Sequence, residues 1–179
     1  MKMHSKILAT AVLLSVAGAP AFAGPESASD TANASALIIQ PITVTKDRDI
    51  EFGTLVKPRT GSAKVTVAND GTRTLGTGIA SPASSATPTS AKFTIRGEGA
   101  QAMTVAVPAS FDLVNGASKL TVTTSNDGSI AAAGTTKSLS GTLGSEGSFE
   151  VLVGGEFDLA STTATGTYTG SFTVTASYN

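Results

Sequence analysis

The chain has 179 residues, of which 14% are charged, and its formal net charge is −1. This balance excludes the basic footprint of a nucleic-acid-binding protein and the like-charge composition of a disordered one. There is no cysteine and no tryptophan, and the single histidine, His4, lies close to the amino terminus. Beyond that terminus the chain therefore lacks the thiols and imidazoles that most familiar catalytic and zinc sites use.

The first 23 residues have the three parts of a secretory signal peptide. Lys2, His4 and Lys6 give a basic start, residues 7–16 are apolar, and Ala21-Phe22-Ala23 is a small-x-small cleavage site. The apolar run is shorter than the roughly 20 residues that a membrane-spanning helix needs, which argues against a membrane anchor. We expect cleavage at this site, export from the cytoplasm, and no membrane span in the mature chain.

The mature chain is predicted to be a flexible arm followed by one domain. Residues 24–35 are small and polar, as in a segment with too little apolar surface to order itself. Residues 36–179 are rich in Thr, Ser, Ala, Gly and Val, which favours short β-strands joined by tight turns. About nine to ten strands at this spacing predict an all-β sandwich. A β-helix is the structural alternative, but no fixed repeat period is found.

Turn signals divide the domain into predicted strands. An edge or bent strand is expected at residues 37–44, interrupted by Pro41, and another at residues 50–56. Two hairpins are predicted, with turns at Asn69-Asp70-Gly71 and Asn115-Gly116. The low-complexity residues 81–90 are expected to form a loop, and the glycines between Val153 and Phe157 to form a turn between two strands.

The last fourteen residues carry the clearest pattern. They alternate without a break between a Thr/Ser face and an apolar face, whose members are Tyr168, Phe172, Val174, Ala176 and Tyr178. This alternation predicts a long, half-buried strand that ends the protein. Because no later strand can cover its edge, another segment must pair there or the edge would promote aggregation.

These residues resemble the last strand of chaperone–usher pilins. That strand has alternating apolar residues, a penultimate tyrosine, here Tyr178, and a glycine fourteen residues from the end, here Gly166. The wider chain is similar to exported domains of unknown function from Gram-negative bacteria that resemble spore-coat-U-like pilins, through residues 41–45, 49–53, 153–155 and 166–170. Many such pilins have a disulfide near the first strand, which this chain lacks.

The resemblance implies an immunoglobulin-like sandwich that is incomplete and is completed by a donated strand. A periplasmic chaperone would lend that strand first, and the next subunit's arm would replace it after delivery to an outer-membrane usher. The resemblance assigns the acceptor groove to Gly166, Tyr168, Phe172, Val174, Ala176, Tyr178 and Asn179, whose carboxylate would meet a basic group of the chaperone. It assigns the donor strand to Leu37, Ile39 and Ile42, with the arm that precedes them from Ala32.

The sequence therefore leaves two alternative functions. The first is a structural, pilin-like subunit of a fimbrium or other extracellular fibre, which passes through the periplasm and self-associates head to tail. The second is a monomeric secreted domain that binds a glycan or protein and whose amino-terminal strand caps its own edge. Genes for a chaperone and an usher beside this one would favour the first.

No catalytic, cofactor or metal site is predicted. Serines are abundant, but the chain contains no GxSxG, S-x-x-K or GxxxxGK[ST] motif. Asp47, Asp49 and Glu51 would share one side of an extended segment and could bind calcium, although a solvated turn is the more usual meaning of such a charge run. Asn69-Asp70-Gly71 and Asn126-Asp127-Gly128 lack the further carboxylates of a calcium loop and are interpreted as turns.

Overall fold

The computed structural model describes residue 24 and residues 27–179. The predicted signal peptide lies outside the described residues. The chain divides into two units, with the boundary between Ala36 and Leu37. Residues 27–36 are exposed and form neither helix nor strand.

The second unit contains ten strands that pair into two antiparallel sheets. In chain order they are β1 (Thr43–Arg48), β2 (Ser62–Val67), β3 (Arg73–Leu75), β4 (Ala91–Glu98), β5 (Ala102–Ala106), β6 (Ser110–Asn115), β7 (Ser118–Asn126), β8 (Thr135–Ser138), β9 (Glu146–Ala160) and β10 (Thr175–Tyr178). The larger sheet has the order β1-β4-β9-β2-β3, with β7 also paired to β9 and β6 paired to β7. The smaller sheet has the order β10-β5-β8.

The all-β prediction is confirmed, and the two antiparallel sheets are consistent with a β-sandwich. No helix occurs in residue 24 or residues 27–179. Over the same residues there is thus no helix of the length and apolarity that crossing a membrane requires. Both predicted hairpins are present: Val67 pairs with Arg73 across the first turn, and Asn115 pairs with Ser118 across the second. Residues 81–88 form a loop, as predicted.

The glycine-rich turn predicted between Val153 and Phe157 is wrong, because β9 continues through it for 15 residues. The first part of β9 pairs with β4 and the last part with β2. A Cβ atom on Gly154 would overlap the carbonyl oxygen of Val67, and one on Gly155 would lie 2.6 Å from Cγ1 of Val122. These glycines therefore allow neighbouring strands to approach β9 closely where its partner changes, which is a known use of glycine in strands.

Three other predicted strands are shorter than expected or absent. The first begins at Thr43 and lies at a sheet edge, as Pro41 suggested, but residues 37–42 are outside it. Residues 50–56 form only isolated bridges, from Glu51 to Thr89 and from Val56 to Ala80. The long C-terminal strand is confined to β10, because residues 170–174 have no strand pairing. None of these segments has a continuous run of paired residues, so the local pattern alone did not make them strands.

The buried apolar side chains form two clusters. The first core cluster lies between β4, the first half of β9 and the smaller sheet, and contains Ala91, Phe93, Ile95, Met103, Val105, Val107, Ile130, Leu139, Val151, Val153 and Val174. The second core cluster lies around β2, β7 and the second half of β9, and contains Phe52, Val65, Val67, Phe111, Val122, Phe157 and Leu159. Ile50 and Phe172 pack against both clusters and so join them.

Candidate functional site: an apolar groove between two chain segments

A groove of about 1180 Å³ opens along one side of the domain. One border is residues 49–57, which follow β1, and the other is residues 163–172, which precede β10. At one end the Nζ atom of Lys57 donates a hydrogen bond to the carbonyl oxygen of Thr163 at 2.7 Å. At the other end Ile50 and Phe172 pack against the same two core clusters. The two borders therefore run antiparallel, with the groove between them.

The floor of the groove is made of core side chains. They belong to both clusters or to strands beside them: Phe52, Phe93, Phe111, Leu113, Leu120, Phe157 and Leu159. Phe52 and Phe111 are each 8% exposed, whereas Val65 and Ile95, which do not line the groove, are 0% exposed. Leu113 and Leu120 face each other across β6 and β7 and are only half-buried. The five other floor side chains are buried, so Leu113 and Leu120 are the partly exposed apolar side chains of the floor.

Each border pairs through its backbone with an outer neighbour. On the first border Glu51 exchanges two backbone hydrogen bonds with Thr89, and Val56 exchanges two with Ala80. On the second border Thr169 exchanges two backbone hydrogen bonds with Val114 at the edge of β6. Among the described residues, no backbone hydrogen bond crosses the groove from one border to the other. Each border therefore has backbone partners at isolated positions only, and those partners lie outside the other border.

Two side chains hold the borders in position. The Nη1 atom of Arg73 donates to the carbonyl oxygen of Phe52 at 2.6 Å, and its Nη2 atom donates to Oγ of Ser81 at 2.6 Å. This guanidinium therefore ties the first border to the loop outside it. The ring of Phe172 lies 4.9 Å from that of Phe111 and 5.7 Å from that of Phe93, so it anchors the second border to the core.

The structure divides the predicted groove residues into two groups. Gly166, Tyr168 and Phe172 line the groove. Val174, Ala176 and Tyr178 pack on the first core cluster beyond the groove's end. The side-chain oxygen of Asn179 accepts a hydrogen bond from the hydroxyl of Thr104 at 2.5 Å. The roles of all seven residues in binding a chaperone or a donated strand stay predictions.

The local structure explains why residue 166 is a glycine. Its φ is +141°, which L side chains rarely adopt, and an added Cβ would overlap the side-chain amide of Asn115. That amide donates to the carbonyl oxygen of Thr165 at 3.2 Å. Gly166 therefore lets the second border lie against the hairpin of β6 and β7.

The predicted donor residues lie just before the first strand. Leu37 is 67% exposed, and Ile39 and Ile42 are half-buried. Ile42 packs against the first core cluster of its own domain. Ile38, which the sequence did not single out, is 91% exposed and is the most exposed large apolar side chain described in the domain.

The first border was missed as part of a site by sequence reasoning. Residues 50–56 were interpreted as an ordinary strand, yet Ile50, Phe52 and Leu55 all line the groove. Their apolar alternation predicted a strand, but the segment forms only isolated bridges and has a positive φ at Gly53. The alternation carried no information about which neighbour was missing, because that depends on contacts distant in sequence.

The acidic residues near the first border are engaged separately. Oδ2 of Asp47 accepts a hydrogen bond from the hydroxyl of Thr94 at 2.5 Å, and Asp49 forms an ion pair with Lys46 at 2.7 Å. Within the described part of the chain, no three acidic or histidine side chains come together as a metal site would require. Nothing here therefore favours the calcium alternative.

Asp112 on β6 provides a pH-dependent contact beside the groove. The hydroxyl of Thr121 and the ammonium of Lys119 both donate to its carboxylate and hold the pKa of Asp112 below its ordinary value. Since the folded-state pKa is lowered, the contact stabilises the fold above about pH 4 and is lost as the pH falls through the lowered pKa.

We predict that Thr121→Val raises the pKa of Asp112 towards its ordinary value, because it removes the hydrogen bond that lowers this pKa most. Carboxyl NMR titration measures this change. Thr123→Val, on the same strand but without a contact to Asp112, is the matched control. An unchanged titration of Asp112 in Thr121→Val would contradict the assigned cause.

The comparison with protein families matches residues 42–178 to a domain of unknown function (DUF4402). The chain belongs to this family. The match starts at Ile42, the first apolar residue that packs on the domain's own core, and ends at Tyr178 in β10. It therefore covers both borders of the groove and leaves the preceding arm outside. No curated protein matches the chain. No solved structure matches it either.

Proposed function

We propose that the protein is an exported, pilin-like structural subunit of a surface or extracellular fibre, assembled by donor-strand exchange. Its domain is then an immunoglobulin-like sandwich that lacks one strand. The observation that carries this proposal is the groove: two borders with backbone partners only at isolated positions flank an apolar floor in which Leu113 and Leu120 are half-buried. An added strand can form hydrogen bonds with the free backbone groups of both borders and cover Leu113 and Leu120.

The arm has the length and exposure that a donor needs. The second border spans ten residues, which corresponds to about 33 Å of extended chain at roughly 3.3 Å per residue. Residues 24–38 of a neighbouring subunit comprise 15 residues and can fill that length. The exposed Leu37 and Ile38 supply large apolar side chains at the end of this segment. Since Ile42 is held by its own domain, the donated segment ends before it.

The same groove accounts for the proposed partners. A subunit with an open groove and half-buried apolar side chains needs protection during export, and a periplasmic chaperone and an outer-membrane usher protect and deliver pilins in this way. Insertion of one subunit's arm into the next is a head-to-tail contact, and such contacts extend into open fibres when they do not close into rings. The work of the protein is then association, with no chemistry and no cofactor.

A charge on the groove floor tests this proposal. We predict that Leu120→Glu abolishes polymer formation by the mature chain, because an inserted strand would desolvate the new carboxylate without a partner. The side chain is half-buried and can reach solvent while the groove is empty, so the domain should still fold. Sedimentation velocity after refolding measures the polymer, and circular dichroism checks the β fold.

Leu143→Glu is the matched control, since Leu143 is 52% exposed and does not line the groove. It should polymerise like the unmodified chain. Equal polymerisation of Leu120→Glu and Leu143→Glu would overturn the groove as the assembly site. A stable monomer from the unmodified chain would instead favour the monomeric, glycan- or protein-binding domain.

A further inference from the structure

Three residues tie the root of the arm to one end of the domain. The backbone N–H of Gln40 donates to Oε2 of Glu98 at 3.2 Å, and the hydroxyl of Tyr178 donates to the carbonyl oxygen of Gln40 at 2.9 Å. The same hydroxyl accepts a hydrogen bond from the backbone N–H of Glu98 at 2.6 Å. Both backbone groups of Gln40 are therefore held. We name Gln40, Glu98 and Tyr178 the arm latch.

The arm latch joins an exposed residue, Gln40, to the half-buried Tyr178 and the buried Glu98. Glu98 is 3% exposed, and its second carboxylate oxygen accepts a hydrogen bond from the backbone N–H of Gly144. An added Cβ on Gly97 would overlap the Tyr178 hydroxyl, so Gly97 makes the space in which that hydroxyl sits. Release of Gln40 would leave one oxygen of a buried carboxylate without its partner, which is strongly unfavourable.

The position of the arm latch sets the direction in which the chain leaves the domain. From Gln40 the chain runs through β1 to the first border, and from the second border it runs through β10 to Tyr178. The arm latch therefore lies beyond the groove, at the far ends of β1 and β10. Pro41 confines Gln40 to an extended backbone, so residues 37–40 do not turn back at this point.

Without the arm latch, insertion of the arm into its own groove would compete strongly with insertion into the groove of another subunit. An arm tethered to its own groove has an effective concentration near the millimolar range, well above that of another subunit in dilute solution. To enter its own groove the arm would have to reverse at Gln40 and run back along β1. That reversal breaks the arm latch and removes Ile42 from the first core cluster.

We infer that the arm latch keeps the arm out of its own groove and so reserves the groove for a second copy of this chain. This inference rests on the proposed function. It adds that the arm latch favours insertion of the arm into another subunit over insertion into its own. Gln40, Glu98 and Tyr178 are positioning residues, since they act through the direction of the arm and do not line the groove.

The test compares chains that differ by single atoms of the arm latch. The mature chain, Tyr178→Phe and Glu98→Gln are refolded at the same micromolar concentration, and the monomer fraction is measured by sedimentation velocity. Tyr178→Phe keeps the ring and removes only the hydroxyl. Thr104→Val is the matched control, because it removes a nearby hydrogen bond to Asn179 that does not involve the arm.

Tyr178→Phe is expected to raise the ratio of monomer to polymer about fivefold to tenfold, the factor for one to two hydrogen bonds. Glu98→Gln should act in the same direction. These monomers should not bind a fluorescent peptide of residues 24–38, because their own arm fills the groove. Ratios equal to that of Thr104→Val in both variants would overturn the arm latch while leaving the proposed function intact. An unmodified chain that stays monomeric would overturn the proposed function, and this inference with it.

Discussion

Removal of residues 24–38 is expected to convert a polymerising chain into a monomer. The deletion leaves Gln40 and every strand in place, so the domain keeps its fold and its empty groove. Without the arm no subunit can fill its neighbour, and polymer should be lost completely. Sedimentation velocity of the mature and shortened chains, refolded under the same conditions, measures the effect.

A peptide of residues 24–38 should stabilise the shortened chain. At a concentration one hundred times its dissociation constant, a ligand of the folded state adds about 2.7 kcal/mol to the free energy of unfolding. A peptide with the same composition in scrambled order is the control, because it lacks the arm's sequence of side chains. Polymerisation of the shortened chain to the same extent as the mature one would rule out the arm as donor.

Gly154→Ala is expected to lower the free energy of unfolding by about 3 kcal/mol, near the upper end for overpacking. The added methyl group would overlap the carbonyl oxygen of Val67 and would also lie 2.9 Å from the carbonyl carbon of Ala68 and from Oγ of Ser125. Backbone atoms of a paired strand cannot move aside without breaking the sheet. Urea unfolding curves measure the loss, which is a large part of the 5–15 kcal/mol typical of a domain.

Gly128→Ala is the matched control for this substitution. Its methyl group would meet only the side chains of Ile130 and Phe149, at 2.9 Å and 3.8 Å, and these can rotate. We expect a cost below about 1 kcal/mol, since the alanine also reduces the conformational freedom of the unfolded chain. Equal losses in Gly154→Ala and Gly128→Ala would contradict the explanation of β9 as one strand that neighbours approach closely.

Local patterns predicted much of this fold because the hairpins depend on residues close in sequence. Asn69-Asp70-Gly71 and Asn115-Gly116 specify turns, and the strands around them alternate clearly. The glycines at 154 and 155 were misinterpreted because a glycine pair has the same local signature in a turn and in a crowded strand. Only the distant strands β2 and β7 decide between the two.

The candidate site was only partly predictable for a related reason. The alternation of residues 166–178 predicted a long strand, of which only Thr175–Tyr178 is present, and Phe172 and Tyr168 line the groove. The pattern could not distinguish the part paired with β5, which includes Ala176 and Tyr178, from the part that lacks a neighbour. The opposite border could not be recognised from the sequence, because its position beside the groove depends on contacts with residues distant in sequence.

Mixing two chains that cannot assemble alone tests the central claim most directly. The chain that lacks residues 24–38 has a groove and no arm. The mature chain with Leu120→Glu has an arm and a blocked groove. Each alone should sediment as a monomer. Refolded together at equal concentration, the two should form a one-to-one dimer that does not grow further, because one arm fills one groove. If the mixture contains only monomers while the unmodified chain still polymerises, insertion of the arm into this groove is not how the protein assembles.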